Sequence, residues 1–123
     1  MIHTVFNKET NILETQFKDD VFLNEIIDYI ITTKENKSYP RTLKILTDSQ
    51  HAVFKFTVSD LNAILSENVE SLKNYDAIID SIIIASPQTA ALSLLYQELA
   101  KNDKYHFDVF SSHEAALRWL NTF

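Results

Sequence analysis

Apolar residues along this chain switch between two periods, and the switches mark out its elements. Ile2, Thr4 and Phe6 alternate with His3 and Val5, and Ile12, Glu14 and Gln16 alternate with Leu13, Thr15 and Phe17. Period two predicts strands over 2–6 and 12–17. The polar Asn7-Lys8-Glu9-Thr10-Asn11 between them reads as a hairpin turn, and Lys18-Asp19-Asp20 as the close of the second strand. From Leu23 to Lys34 the period lengthens. Leu23, Ile26, Ile27, Ile30 and Ile31 fall at the three-and-four spacing of an amphipathic helix, with Asn24, Glu25, Asp28 and Thr32 on the wet side. Glu35 to Arg41 is a polar loop containing Pro40.

Leu43 to Asp48 is the third predicted strand. Ser49-Gln50-His51 reads as a loop, and Ala52 to Phe56 as an extended approach to a second helix. Thr57-Val58-Ser59-Asp60 supplies caps for that helix, and Leu61, Ile64, Leu65, Val69 and Leu72 its apolar stripe. The run from Ala77 to Ala85 has almost no polar alternation and is rich in Ile, the pattern of a central strand covered on both faces. Ser86-Pro87 then turns into a helix from Gln88 to Ala100, with Pro where a missing N–H costs nothing. Tyr105 to Phe110 is a last strand. Ser111 and Glu114 have the spacing of a capping box for a final helix over about 112–121. The order β-β-α-β-α-β-α-β-α predicts an α/β fold, a five-stranded mixed sheet with four helices. The later strands should be parallel with right-handed crossovers, and the opening hairpin should add an antiparallel edge. No linker or repeat divides residues 1–123, so a single domain is expected.

Composition removes more functions than it suggests. The chain has no Gly, where about 7% is usual. Walker loops, dinucleotide-binding fingerprints and Gly-flanked serine elbows are thereby excluded in their usual forms. Any left-handed backbone position must fall to Asn or Asp. No Cys means no disulfide, no thiolate chemistry and no Cys-based zinc site. The net charge of −6 argues against nucleic acid and against anionic membranes as partners. No apolar run is long enough to span a bilayer, and Met1 to Phe6 lacks the form of a signal peptide, so a cytoplasmic location is expected.

Leu43-Lys44-Ile45-Leu46-Thr47-Asp48, Asp80-Ser81-Ile82-Ile83-Ile84 and the string from Val109 to Leu120, in this element order, resemble the STAS domain. The resemblance is specifically to the SpoIIAA-like (anti-sigma factor antagonist-like) superfamily, which grades into a carrier-type branch, and it covers essentially the whole chain. The closing string is similar to the last helix of many small bacterial proteins of this kind. The resemblance implies a regulatory or protein-interaction module; its carrier-type branch implies a carrier or sensor of an apolar small molecule. Anti-sigma antagonists carry an Asp-Ser-Ser-Gly run whose serine is phosphorylated at the start of the second helix. Here that place holds Phe56-Thr57-Val58-Ser59-Asp60, so the phosphorylation site does not transfer. Thr57 and Ser59 do sit where a helix start would favour a phosphate, and helix capping is their ordinary role.

Catalytic and metal signals are weak. His3, His51, His106 and His113 share no metal-ligand spacing, and neither a metal nor a cofactor is expected. Asp48, Ser49 and His51 follow a parallel strand, at the sheet edge where ligands bind in α/β folds. With Thr57, Ser59, Ser86 and Gln88 they form a candidate polar rim for a ligand or partner. A nucleophilic triad from the first three is the last-ranked reading, because triads are set by geometry rather than by adjacency. Asp19, Asp20 and Asp48 do not follow the order of a phospho-receiver domain. Phe54 and Phe56 are candidates for an exposed apolar patch. The leading expectation is a non-catalytic interaction module, with a protein partner or self-association. The alternative is binding of an apolar small molecule, which requires a cavity beneath the helices beside Phe54 and Phe56.

Overall fold

The computed structural model describes residues 1–123. Its elements are β1 (Ile2–Asn7), β2 (Ile12–Phe22), α1 (Leu23–Glu35), β3 (Thr42–Lys55), α2 (Leu61–Ser71), β4 (Ala77–Ile83), α3 (Pro87–Leu99), β5 (Tyr105–Phe110) and α4 (His113–Leu120), with a single 3₁₀ turn at Val58–Asp60 before α2. The five strands form one sheet in the order β1-β2-β3-β4-β5. β1 pairs antiparallel with β2, and every other pair is parallel. The predicted mixed α/β sheet with four helices and an antiparallel edge is what forms. β3, not β4, is its middle strand.

Alternation in β4 divides the interior into two cores. Ile78 and Ile82 join Ile26, Ile30, Leu61, Ile64, Leu92 and Tyr96 beneath α1, α2 and α3. Ile79 and Ile83 join Ile12, Leu46, Ala116 and Leu120 beneath α4. A strand with helices on both faces has no wet side, which is why its sequence shows so little polar alternation. No helix is long and apolar enough to cross a membrane.

Two strands run further than their sequences suggest. β2 continues through Lys18-Asp19-Asp20 to Phe22, and β3 continues through Ser49-Gln50-His51 to Lys55. The supposed loop is therefore strand. Beyond Asp48, which pairs with Ile83, β3 has only β2 beside it, and the two form a ribbon that outruns β4. Gln16 pairs with Asp48 and Lys18 with His51, so β3 spends one extra residue there. Asp48 Oδ1 accepts from the Gln50 backbone N–H at 3.0 Å and from its side chain at 3.1 Å, which supports the bulge. Val21, Ala52 and Phe54 of the ribbon face the large core, while Asp20, Phe22, His51, Val53 and Lys55 are exposed. That half-wet alternation is what resembled a loop.

The left-handed positions fall where a Gly-free chain must put them, at Asn11 (φ 59°) and Asp19 (φ 58°). Asn7 Oδ1 holds the hairpin by accepting from the backbone N–H groups of Glu9 and Thr10 at 3.0 and 3.2 Å. The cap of α4 is Ser112 rather than Ser111: its Oγ accepts from the Ala115 backbone N–H at 3.2 Å. Ser112→Ala should lower stability by about 1 kcal/mol, read as a shift in urea midpoint, with Ser111→Ala near neutral.

Candidate functional site: a cavity under three helices

The large core is not solid. Between the sheet and α1, α2 and α3 lies a cavity of about 80 Å³. A single water needs roughly 10–15 Å³ of such space, so there is room for a small organic molecule. Each helix lends the cavity its inner stripe: Tyr29 and Ile30 from α1, Ile64 and Asn68 from α2, Leu92 and Ser93 from α3. The floor includes Ile45 and Thr47 of β3, Asp80 of β4, and Tyr105 and Phe107 of β5. Phe54 and Phe56 complete the wall, with their rings stacked at 5.0 Å. Most of this lining is apolar, and it contains no Lys, Arg or His.

The polar groups on the wall differ in how well they are satisfied. Tyr96 and Tyr105 share a hydrogen bond of 2.9 Å between their hydroxyls, and Asn68 Nδ2 donates to both, at 2.8 and 3.1 Å. The Tyr29 hydroxyl meets Thr15 Oγ1 at 2.9 Å. Burial pushes all three phenols well above their ordinary pKa, so they remain neutral. Ser93 is 4% exposed, and its Oγ has no partner.

Asp80 is the outlier. It sits in β4 between Ile78 and Ile82 and accepts one side-chain hydrogen bond, from Thr47 Oγ1 at 2.9 Å. A carboxylate has room for about four. No cation pairs with it, and burial, offset in part by the Thr47 bond, pushes its pKa up to about 7. Asp80 retains some accessible surface although protein surrounds it on every side. That surface forms part of the cavity wall.

The sequence-predicted rim does not assemble. Asp48 meets His113 Nε2 at 3.4 Å, across the α4 face of the sheet. Ser49 is buried, and its Oγ donates to the Ile83 carbonyl at 2.6 Å. His51 is exposed on the ribbon opposite Lys18. The three therefore form no triad: Asp48 and Ser49 are engaged with other partners, and no hydrogen bond joins either to His51. Thr57 and Ser59 are exposed, with their hydroxyls 2.8 Å apart, and the Thr57 N–H donates to Asp60 at 2.9 Å, the local bonding of a turn. Ser86 caps α3 by accepting from the Thr89 N–H at 3.2 Å. Gln88 Nε2 donates to the Phe54 carbonyl at 2.6 Å, and its Oε1 accepts from the Phe54 N–H at 3.1 Å. Phe54 is buried and Phe56 half-buried, so they are cavity wall and not an exposed patch. No three His, Asp or Glu side chains converge as a metal site would need.

Asp80 had a signal in the sequence: an acid inside an otherwise apolar strand. Ser93 had a fainter one, a hydroxyl on the inner face of a helix. Nothing local marked Tyr29, Asn68, Tyr96 or Tyr105, which meet only through the fold.

No protein-family model matches the chain, and no curated protein matches it. A solved structure from Shewanella loihica PV-4 is similar over 97% of this chain and 93% of its own, with a TM-score of 0.61 and 12% identity. It is described as an uncharacterized protein from the DUF3478 family with a SpoIIAA-like fold. At that identity the likeness shows the fold alone.

Proposed function

We propose that this SpoIIAA-like chain is a non-catalytic binding module that holds a small, mostly apolar molecule in the cavity beneath α1, α2 and α3. The observation that carries the reading is a hollow, mostly apolar core with two underused polar groups, Asp80 and Ser93, on its wall. Folding alone gives no reason for this arrangement. Close packing is the norm in protein interiors, and each void or unpaired buried group costs stability. A ligand that fills the space and meets the polar groups offsets both costs.

Benzyl alcohol is a suitable neutral probe, with one ring and one hydroxyl. It should raise the melting temperature and shift the backbone amide resonances of Ile64, Asp80 and Ser93. Ser93→Leu fills the space and removes the unpaired hydroxyl. That variant should be more stable than the parent by about 1–2 kcal/mol and should no longer respond to the probe. Equal responses from both proteins, or none from the parent, would sink the reading.

A second reading, docking of a protein partner, has its own observation. Leu94, Leu95 and Leu99 on the outer side of α3 are 51%, 45% and 45% exposed. They are far from the cavity's polar groups in role, and they favour an apolar contact on that helix.

A further inference from the structure

Resting on the cavity reading, we propose that the ligand is an organic amine, seated with its positive nitrogen on the Asp80 carboxylate and its apolar body among the cavity's aromatic rings. Four observations lead there. Asp80 lines the cavity with no cation beside it, and only the Thr47 side chain donates to it. A buried carboxylate ordinarily has an ionic partner or several donors, and Asp80 has only the one donor. The wall around it carries the rings of Tyr29, Tyr96, Tyr105 and Phe107. Their faces attract a cation, the more so when it is stripped of water. Ser93 Oγ, buried and unpartnered on the same wall, can accept an N–H. The chain's net charge of −6 draws cations toward it.

Other ligand classes fit less well. A fatty acid or another anion would place like charge beside Asp80, with no Lys, Arg or His on the wall to receive it. A pure hydrocarbon would fill the space and leave both Asp80 and Ser93 unpaired. A neutral alcohol meets the hydrogen-bonding capacity and leaves the charge unmet.

The proposal carries a pH dependence. An amine pairs with ionised Asp80, so below the titration of that carboxyl binding must first expel its proton. Affinity should rise with pH through neutrality, level above it, and fall again once the amine itself loses its proton. The other titratable groups facing Asp80 are Tyr29 on α1, Tyr96 on α3 and Tyr105 on β5, all held neutral by burial; α2 presents none to the cavity. They add no second step near neutrality.

Benzylamine and benzyl alcohol differ in charge and share their shape, which separates the two levels of the argument. Titrate each into the parent protein and into Asp80→Asn at pH 6 and pH 8, following the amides of Ile64 and Ser93. The proposal expects benzylamine to bind the parent at pH 8 at least about tenfold tighter than benzyl alcohol, the equivalent of one good charged contact. The preference should shrink at pH 6 and vanish in Asp80→Asn, which should still bind the alcohol. If benzyl alcohol binds the parent as well as the amine does, the charge assignment is overturned and the cavity reading stands. If neither binds, both fall. If the amine preference persists unchanged in Asp80→Asn, the cation sits elsewhere and the proposal is overturned. Asp80→Asn keeps the shape of the side chain and its contact with Thr47, and Ser93→Leu is a second control in which both probes should lose binding.

Discussion

Asp80→Asn should stabilise the protein above neutral pH and flatten the dependence of its stability on pH. The folded protein holds the Asp80 proton up to a pH of about 7, whereas a free aspartate releases it near 3.8. Between those two values the folded state binds the proton and the unfolded state has released it. Stability therefore falls as pH rises through that window. The contribution of this group is fully present below about pH 4 and fully lost above about pH 7. A shift of about three units at 1.36 kcal/mol each sets a ceiling of about 4 kcal/mol. Water reaching the carboxylate through the cavity brings the observed loss below that ceiling. The change falls between about pH 4 and about pH 7, and it belongs to the difference between parent and variant, in which other titrating groups cancel. Urea midpoints of both proteins at pH 5 and pH 8 measure it. Parallel pH profiles for the two would show that Asp80 is ionised throughout and that the cavity solvates it.

Arg41→Ala should cost about 2–3 kcal/mol, a large effect for a side chain in a loop. Its guanidinium donates to the Asn36 carbonyl at 2.9 Å, to the Tyr39 carbonyl at 2.7 and 3.2 Å, and to the Asn74 carbonyl at 2.8 Å. It also lies 4.2 Å over the Tyr75 ring, whose hydroxyl donates to the Thr33 carbonyl at 2.6 Å. One side chain thus joins the loop before β3 to the loop before β4. Removing it leaves the Tyr39 and Asn74 carbonyls without these bonds, weakens the hold on that of Asn36, and takes away a cation–π contact. Arg41→Lys keeps the charge and loses the fork, so it should recover less than half of the stability. Equilibrium unfolding in urea checks both variants. A change within about 0.5 kcal/mol for Arg41→Ala would mean that water satisfies those carbonyls.

Element order and strand directions were legible because each apolar stripe has one period and one destination. β4 and α3 could be read directly from Ala77 to Leu99, where burial on both faces gives way to Ser86-Pro87 and then to helix. The ribbon was not legible. Lys18 to Asp20 and Ser49 to His51 are polar in composition, and what makes them strand is mutual pairing across a bulge, a long-range fact. The site was half legible. An acid beside Ser81 in a strand whose other residues are all apolar is a local anomaly, whereas the use of Asp48, Ser49 and His51 depended on a loop that does not exist. Asn68, Tyr96 and Tyr105 come together from three elements, and no spacing within one element announces them.

The clamp between Gln88 and Phe54 has a consequence for how the protein behaves in a crowd. Past Asp48 the far side of β3 lacks a strand neighbour, and a bare strand edge is a template on which another chain can add itself. Gln88 offers one acceptor and one donor to the backbone of Phe54, as a neighbouring strand would. A side-chain amide thus occupies the pairing groups of Phe54 that a stray strand would seek, and it cannot itself be extended. Gln88 therefore blunts the uncovered edge of β3 at Phe54.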